Sequence, residues 1–175
     1  VADIYELELT PNQYDVVFVE QTLHHFSPLK KVSTKLKYCL KPNGYLIINE
    51  FVGPNRFQWT ERQLEIINST LALLPSKYRK KIDGIDLKTK VIRPSKLSMI
   101  LGDPSEAIES SNILKSLEEE FDLVEKKEYG GTILLLLFYQ IAHNFASDNE
   151  LIKRWIKLCF EIEDLMLAEN EISSD

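Results

Sequence analysis

Residues 14–51 read YDVVFVEQTLHHFSPLKKVSTKLKYCLKPNGYLIINEF, and this stretch decides the fold. The apolar run over 14–19 lacks alternation, which is typical of a strand buried on both faces of a parallel sheet. Ser27 and Pro28 predict the start of a helix, and the Lys-Pro-Asn-Gly turn at 41–44 predicts its end before a second buried strand. Strand, helix and strand in this order predict a βαβ unit and an α/β fold.

The rest of the chain alternates between helical patterns and polar stretches. Thr60 and Gln63 form a capping box, which predicts the start of a helix. Residues 76–102 predict a long polar excursion of the kind that serves as a lid or binding segment. Four further elements are predicted: a helix from Asp103 to about 121, a strand over 122–129, an apolar helix over about 132–142, and a helix capped by Ser147 with the stripe Leu151, Trp155, Leu158, Ile162 and Leu165.

Composition narrows the class of protein. The net charge is −6, from 21 basic and 27 acidic residues, and residues 161–175 hold six acidic residues and no basic one. The remainder is therefore nearly neutral, which argues against a nucleic-acid partner. The longest apolar run, 133–139, is too short for a bilayer span, and residues 1–9 lack a signal-peptide pattern. With Cys39 and Cys159 interpreted as core thiols, we expect a cytoplasmic protein without a membrane partner.

The stretch around residues 14–51 resembles the second half of a class I S-adenosylmethionine-dependent methyltransferase domain. Asp15 precedes the first strand, Leu23-His24-His25 follows it, and the turn at 41–44 is similar to the Leu-Lys-Pro-Gly-Gly-like turn of that family, with Asn43 in place of a glycine. Three later segments resemble a bacterial subgroup of the Leu-His-His type: residues 50–54, 103–107 and 130–132.

The resemblance implies a partial doubly wound, Rossmann-like sheet with helical insertions, incomplete at the N-terminus and at the C-terminus. Residues 1–175 would form the C-terminal part of one methyltransferase domain, with a cover around 52–102 and helices over 132–172. The six glycines contain no Gly-x-Gly-x-Gly pattern. We therefore expect the glycine-rich cofactor loop to precede residue 1, and the isolated 175 residues to be inactive.

The implied cofactor is S-adenosylmethionine, bound beyond the carboxyl ends of the strands. By resemblance, Asp3 accepts a hydrogen bond from the adenine amino group, and Ile4 packs on the adenine ring. Glu20 and Gln21 line the methionine end of the pocket. From the residues alone, a solvated terminal residue is the favoured interpretation of Asp3, and His24 equally fills the strand–helix junction. The implied cofactor-binding residues are Asp3, Ile4, Glu20, Gln21, His24 and His25.

The predicted reaction is methyl transfer to a small organic acceptor, as part of a larger enzyme. His25 is the candidate catalytic base, because a neutral imidazole accepts protons near working pH; its alternative role is pocket lining. The alternative role of Trp59 is a hydrophobic staple of the following helix, and the residues favour a capping role at a helix end for His143. The candidate substrate residues are Glu50, Arg56, Trp59 and His143.

Two further expectations complete the interpretation. No spacing of Cys, His and acidic residues fits a zinc site, so no metal is predicted. The alternative to an enzyme is an inactive methyltransferase-like fragment or partner subunit that acts by protein binding. The sequence leaves the acceptor atom and the oligomeric state open.

Overall fold

The structure, a computed structural model, describes residues 2–173. The polypeptide forms two compact units, each described by itself: one of residues 2–58 and 94–126, the other of residues 59–93 and 127–173. The predicted cover over 52–102 is therefore divided between the two units. Within the described part, none of the helices has both the length and the apolar character that a bilayer span needs.

Two strands and six α-helices make up the regular structure of the described residues, with short 3-10 turns between them. The first unit holds the strands and three of the helices, and the second unit holds the other three. In chain order the elements are β1 Tyr14–Glu20, α1 Leu29–Cys39, β2 Leu40–Asn49, α2 Glu61–Leu73, α3 Lys96–Gly102, α4 Ile113–Glu118, α5 Leu134–Phe138 and α6 Glu150–Ala168.

The predicted βαβ unit is confirmed. β1 and β2 pair in parallel, from Val16 opposite Tyr45 to Glu20 opposite Asn49, and α1 connects them. The turn predicted at 41–44 lies within the bounds of β2, which is irregular there because Asn43 adopts a φ of 65°. A Cβ atom on Gly44 would lie 3.0 Å from the carbonyl oxygen of Asp15, so this turn requires glycine.

The core of the first unit lies on one face of this small sheet. The buried side chains of α1 pack with Leu23 and Ile113, and four strand side chains pack against them, so burial of apolar surface fixes α1 on the sheet; these four are Val17, Val19, Leu46 and Ile48. The prediction that β1 is buried on both faces is wrong, because Phe18 is 61% and Tyr45 58% exposed on the other face. The α/β arrangement fits a partial Rossmann-like fold, and the doubly wound sheet stays a prediction.

The helix predicted from Asp103 begins later than expected. Asp103 Oδ1 accepts the N–H of Ser105 instead, and Ala107 adopts a φ of 48° while its carbonyl oxygen accepts the N–H of Arg56 at 2.6 Å. A residue with a left-handed backbone interrupts a helix. Residues 103–107 therefore form a turn, and α4 begins at Ile113.

Two other segments differ from the prediction. The end of the polar excursion forms α3, because Ser95 caps it by accepting the N–H of Ser98 at 3.0 Å. Residues 122–129 have no regular secondary structure, although a strand was predicted there. β-favouring residues form a strand when their backbone pairs with a neighbouring strand, and the described sheet consists of β1 and β2.

The second unit is organised around α5, an apolar helix of five residues. Each end of α5 contacts a buried charged side chain from another segment of the unit. Buried Glu163 accepts the N–H groups of Gly131 at 2.9 Å, Ile133 at 2.6 Å and Leu134 at 3.0 Å. Buried Lys88 donates to three carbonyl groups at the opposite end, of Leu136, Leu137 and Tyr139, and burial lowers the pKa of its amine to about 8. The negative charge lies at the N-terminus of α5 and the positive charge at its C-terminus, so both interact favourably with the helix dipole.

The neighbouring helices partly follow the sequence pattern. The Thr60 cap of α2 is confirmed, since its Oγ1 accepts the N–H of Gln63 at 3.1 Å, and the apolar side chains Leu64, Ile67 and Leu71 of this helix are buried. α6 is capped by Asn149 rather than Ser147, and its predicted stripe is wrong, because Leu151 and Leu165 are 51% and 53% exposed. The helix is turned so that a different face is buried, which carries Ile152, Cys159 and Glu163.

Candidate functional site

The carboxyl ends of β1 and β2 form one edge, where ligands bind in sheets of this kind. Glu20 pairs with Asn49 at the last register position. The Asn49 side-chain amide donates to Glu20 Oε1 at 2.8 Å, and the Gln21 N–H donates to the Asn49 carbonyl oxygen at 2.8 Å. Glu20 and Gln21, both predicted to bind the cofactor, are exposed to solvent at this edge of the sheet.

Glu50 lies directly after β2, and its side chain forms hydrogen bonds with the 3-10 turn Leu23–His25 that follows β1. Its side chain is only 2% exposed. Oε2 accepts the N–H groups of Thr22, at 2.7 Å, and of Leu23, while Oε1 accepts the N–H of Phe51 at 2.7 Å and bonds to Nδ1 of His24. The carboxylate therefore faces donors of its own chain, and its predicted contact with an acceptor stays a prediction.

The tautomer of His24 follows from this contact. A carboxylate that already accepts three N–H groups acts as an acceptor toward the imidazole, so Nδ1 carries a proton, and in the neutral ring Nε2 presents a lone pair. His24 is 8% exposed, and its ring lies 6.4 Å from the Phe51 ring in an edge-on arrangement. Glu50 thereby fixes both the orientation and the proton of this histidine.

His25 is oriented in the same way by a different set of residues. Its Nδ1 lies 3.1 Å from Ser105 Oγ, and that hydroxyl donates to Asp103 Oδ1 at 2.7 Å. The Ser105 oxygen therefore accepts the proton on Nδ1, which leaves Nε2 of His25 with a lone pair. The hydrogen bonds from the Ser105 hydroxyl and N–H lower the pKa of Asp103, which supports its role as the final acceptor.

Glu106 completes the cluster, and sequence reasoning missed it as a site residue. Its Oε1 lies 3.5 Å from Nε2 of His24, and its Oε2 lies 4.0 Å from Nε2 of His25. Arg56 holds the turn that carries Glu106: its N–H donates to Ala107 and its Nη1 to the Glu106 carbonyl oxygen at 3.1 Å. The sequence signal at Glu106 indicated only a helix start, so the pattern gave no sign of this site.

The other predicted cofactor residues lie near the start of the chain, in the first unit. Asp3 is exposed, and its Oδ1 accepts the N–H of Tyr5 at 2.8 Å. Ile4 is partly buried against the core, and its carbonyl oxygen accepts a bond from Lys35 at 2.8 Å.

The predicted substrate residues are divided between the two units. Glu50 and Arg56 belong to the first unit, and Trp59 and His143 to the second. Trp59 is 5% exposed, and its carbonyl oxygen accepts the Arg93 guanidinium at 2.6 Å. His143 is exposed in the 3-10 turn Ala142–Phe145. Among the predicted site residues, the structure brings Glu50 into contact with His24.

A protein-family model described as a methyltransferase domain matches residues 1–48. The matched part contains β1, α1 and most of β2, together with the predicted cofactor residues. It supports a class I methyltransferase that depends on S-adenosylmethionine, and methyl transfer in general. Comparisons with curated proteins and with solved structures gave no match.

Proposed function

We propose that this protein transfers the methyl group of S-adenosylmethionine to a small organic acceptor, as part of a larger enzyme of the Leu-His-His subgroup. The observation that carries the proposal is the methyltransferase-domain match over residues 1–48. The matched β1–α1–β2 unit leads to the edge where Glu20, Gln21 and the histidine pair lie. Glycine-rich contacts from residues before Val1 are part of the same proposal.

The chemistry of the edge fits this cofactor. S-adenosylmethionine supplies a methyl group on a cationic sulfonium, together with an amino group and hydroxyl groups that donate hydrogen bonds. The exposed carboxylates of Asp3 and Glu20 are acceptors suited to such donors. In the proposal, Asp3 and Ile4 hold the adenine, and Glu20 and Gln21 hold the methionine end.

His24 and His25 lie at the reacting end in this proposal. Each neutral ring would present the lone pair of Nε2, oriented through its Nδ1 by Glu50 or Ser105. Such lone pairs bind a proton or a cation of the reacting system, and the fixed rings need no rearrangement when the acceptor arrives. The residues after β2, including Arg56, contribute to the acceptor side of the proposed site.

The first prediction concerns Glu20. Glu20→Ala should weaken the affinity for S-adenosylhomocysteine about tenfold or more, because a hydrogen bond to a charged group contributes roughly 1.5–3 kcal/mol. The measurement is isothermal titration calorimetry of the full-length protein. Glu8→Ala is the matched control, since Glu8 is an exposed carboxylate of the same unit away from the strand ends. Equal affinities of the Glu20 variant and the wild type would remove Glu20 from the cofactor site.

A further inference from the structure

Two imidazole nitrogens and one carboxylate converge beside the edge of the sheet. Nε2 of His24 and Nε2 of His25 lie 3.5 and 4.0 Å from the two oxygens of Glu106. One candidate ligand atom from each residue lies within 4.8 Å of the other two. Both separations exceed the range of about 2.7–3.2 Å for an N–H···O hydrogen bond. The three groups therefore face one another without a direct hydrogen bond between ring and carboxylate.

The protons of the two rings are on the far side from Glu106. Nδ1 of His24 donates to Glu50, and Nδ1 of His25 donates to Ser105, so in the neutral rings both Nε2 atoms carry lone pairs. The Glu106 carboxylate adds oxygen lone pairs to the same place. Three groups with electron pairs, whose candidate ligand atoms lie within 4.8 Å of one another, are suited to a cation.

We propose that His24, His25 and Glu106 bind a divalent transition-metal ion through the two Nε2 atoms and a carboxylate oxygen. Ligand atoms about 2.1 Å from a tetrahedral ion lie about 3.4 Å from one another. The separations of 3.5 and 4.0 Å run to the two different oxygens of Glu106, so coordination through one oxygen requires the carboxylate to rotate and the three side chains to approach slightly. Two histidines and a glutamate leave a fourth position for water or an oxygen of the acceptor. Imidazole ligands favour zinc, iron, nickel or copper over magnesium.

The surroundings of the three residues match those of a metal site. Metal-binding histidines donate their other ring nitrogen to a carboxylate or a similar acceptor, which fixes the ring and the tautomer. Glu50 does this for His24, and the Ser105 hydroxyl, backed by Asp103, does it for His25. This second pattern is independent of the Glu106 distances and points to the same ion.

The test uses Zn²⁺ alone. The full-length protein, first treated with a chelator and dialysed, is titrated with zinc chloride in a calorimeter, without cofactor or acceptor. We expect one saturable zinc site at this cluster. Glu106→Gln and His25→Asn should each weaken it at least tenfold, and Ser105→Ala about tenfold through loss of ring orientation. The Glu106 and His25 side chains are 26% and 33% exposed, so both variants should fold, which circular dichroism checks.

His143→Asn is the matched control, because His143 is the third histidine of the sequence and lies in the other unit. It should leave the zinc affinity unchanged. Zinc should also raise the melting temperature of the wild type, as expected for a ligand of the folded state, and should do so less in Glu106→Gln. A folded wild type that binds no zinc, or equal binding by the wild type and both cluster variants, would overturn the inference. Because no cofactor is present, failure here leaves the proposed methyl transfer untouched.

Discussion

Glu50→Gln lowers the rate of methyl transfer about 100-fold or more while the protein stays folded: this is the expected result of reversing the tautomer of His24. The glutamine oxygen can still accept the N–H groups of Thr22 and Leu23, and only the N–H of Phe51 loses its acceptor. Its amide nitrogen then faces Nδ1 of His24 and donates to it, so the proton moves to Nε2. The lone pair at the proposed reacting end is lost, and with it a base or a metal ligand.

Two measurements check this result. Formation of S-adenosylhomocysteine reports the rate, and multiple-bond ¹⁵N NMR of the imidazoles reports which ring nitrogen of His24 carries the proton. Glu118→Gln is the matched control, an exposed carboxylate of the same unit. A proton that stays on Nδ1 in the Glu50 variant, or a rate equal to that of the control, would contradict the role of Glu50 as the residue that orients His24.

Glu163→Ala should lower the free energy of unfolding of the second unit by about 3 kcal/mol or more. Its carboxylate accepts three N–H groups at the start of α5, and each buried donor left without an acceptor costs roughly 1–3 kcal/mol. α5 has only five residues, so it has little other support for its first turn. Glu163→Gln, which retains one acceptor oxygen, should have a smaller effect.

Urea unfolding followed by tryptophan fluorescence suits this test. Both tryptophans of the sequence, Trp59 and Trp155, lie in the second unit, so their signal reports that unit. Glu161→Ala is the control on the same helix, because its carboxylate is 58% exposed and forms only a surface pair with Lys157 at 3.6 Å. Such pairs contribute about 0.5 kcal/mol or less. Equal losses in the Glu163 and Glu161 variants would show that α5 does not depend on its cap.

The parts of the fold that the sequence predicted well depend on neighbours in the chain. The β1–α1–β2 unit and the Thr60 cap of α2 follow from apolar runs, a turn and a capping box, all of which act locally. The incorrect predictions depend on distant partners. The buried face of α6 is set by the contact of Glu163 with α5, and the helix predicted at Asp103 is interrupted by a bond from Arg56. Periodicity carries no information about such contacts.

In the candidate site too, the features that depend on neighbours in the chain were predictable and those that depend on distant residues were not. Glu20 and Gln21 were predicted from their position at a strand end, and the structure places them at the edge of the sheet. The partners of the histidines were not predictable from spacing, since Ser105 lies 80 residues beyond His25 in the chain. Sequence motifs for metal sites have short spacings between ligands. The cluster of His24, His25 and Glu106 lacks such a spacing, because Glu106 comes from the turn between α3 and α4.

Binding of S-adenosylhomocysteine to the wild-type full-length protein tests the central claim most directly. The methyltransferase assignment predicts a saturable calorimetric isotherm with one molecule per chain, and a melting temperature that rises with ligand concentration. A protein that is folded by its cooperative tryptophan-fluorescence transition, yet gives neither binding heat nor a shift in melting temperature up to about 1 mM ligand, a limit of roughly −4 kcal/mol of binding free energy, would contradict it.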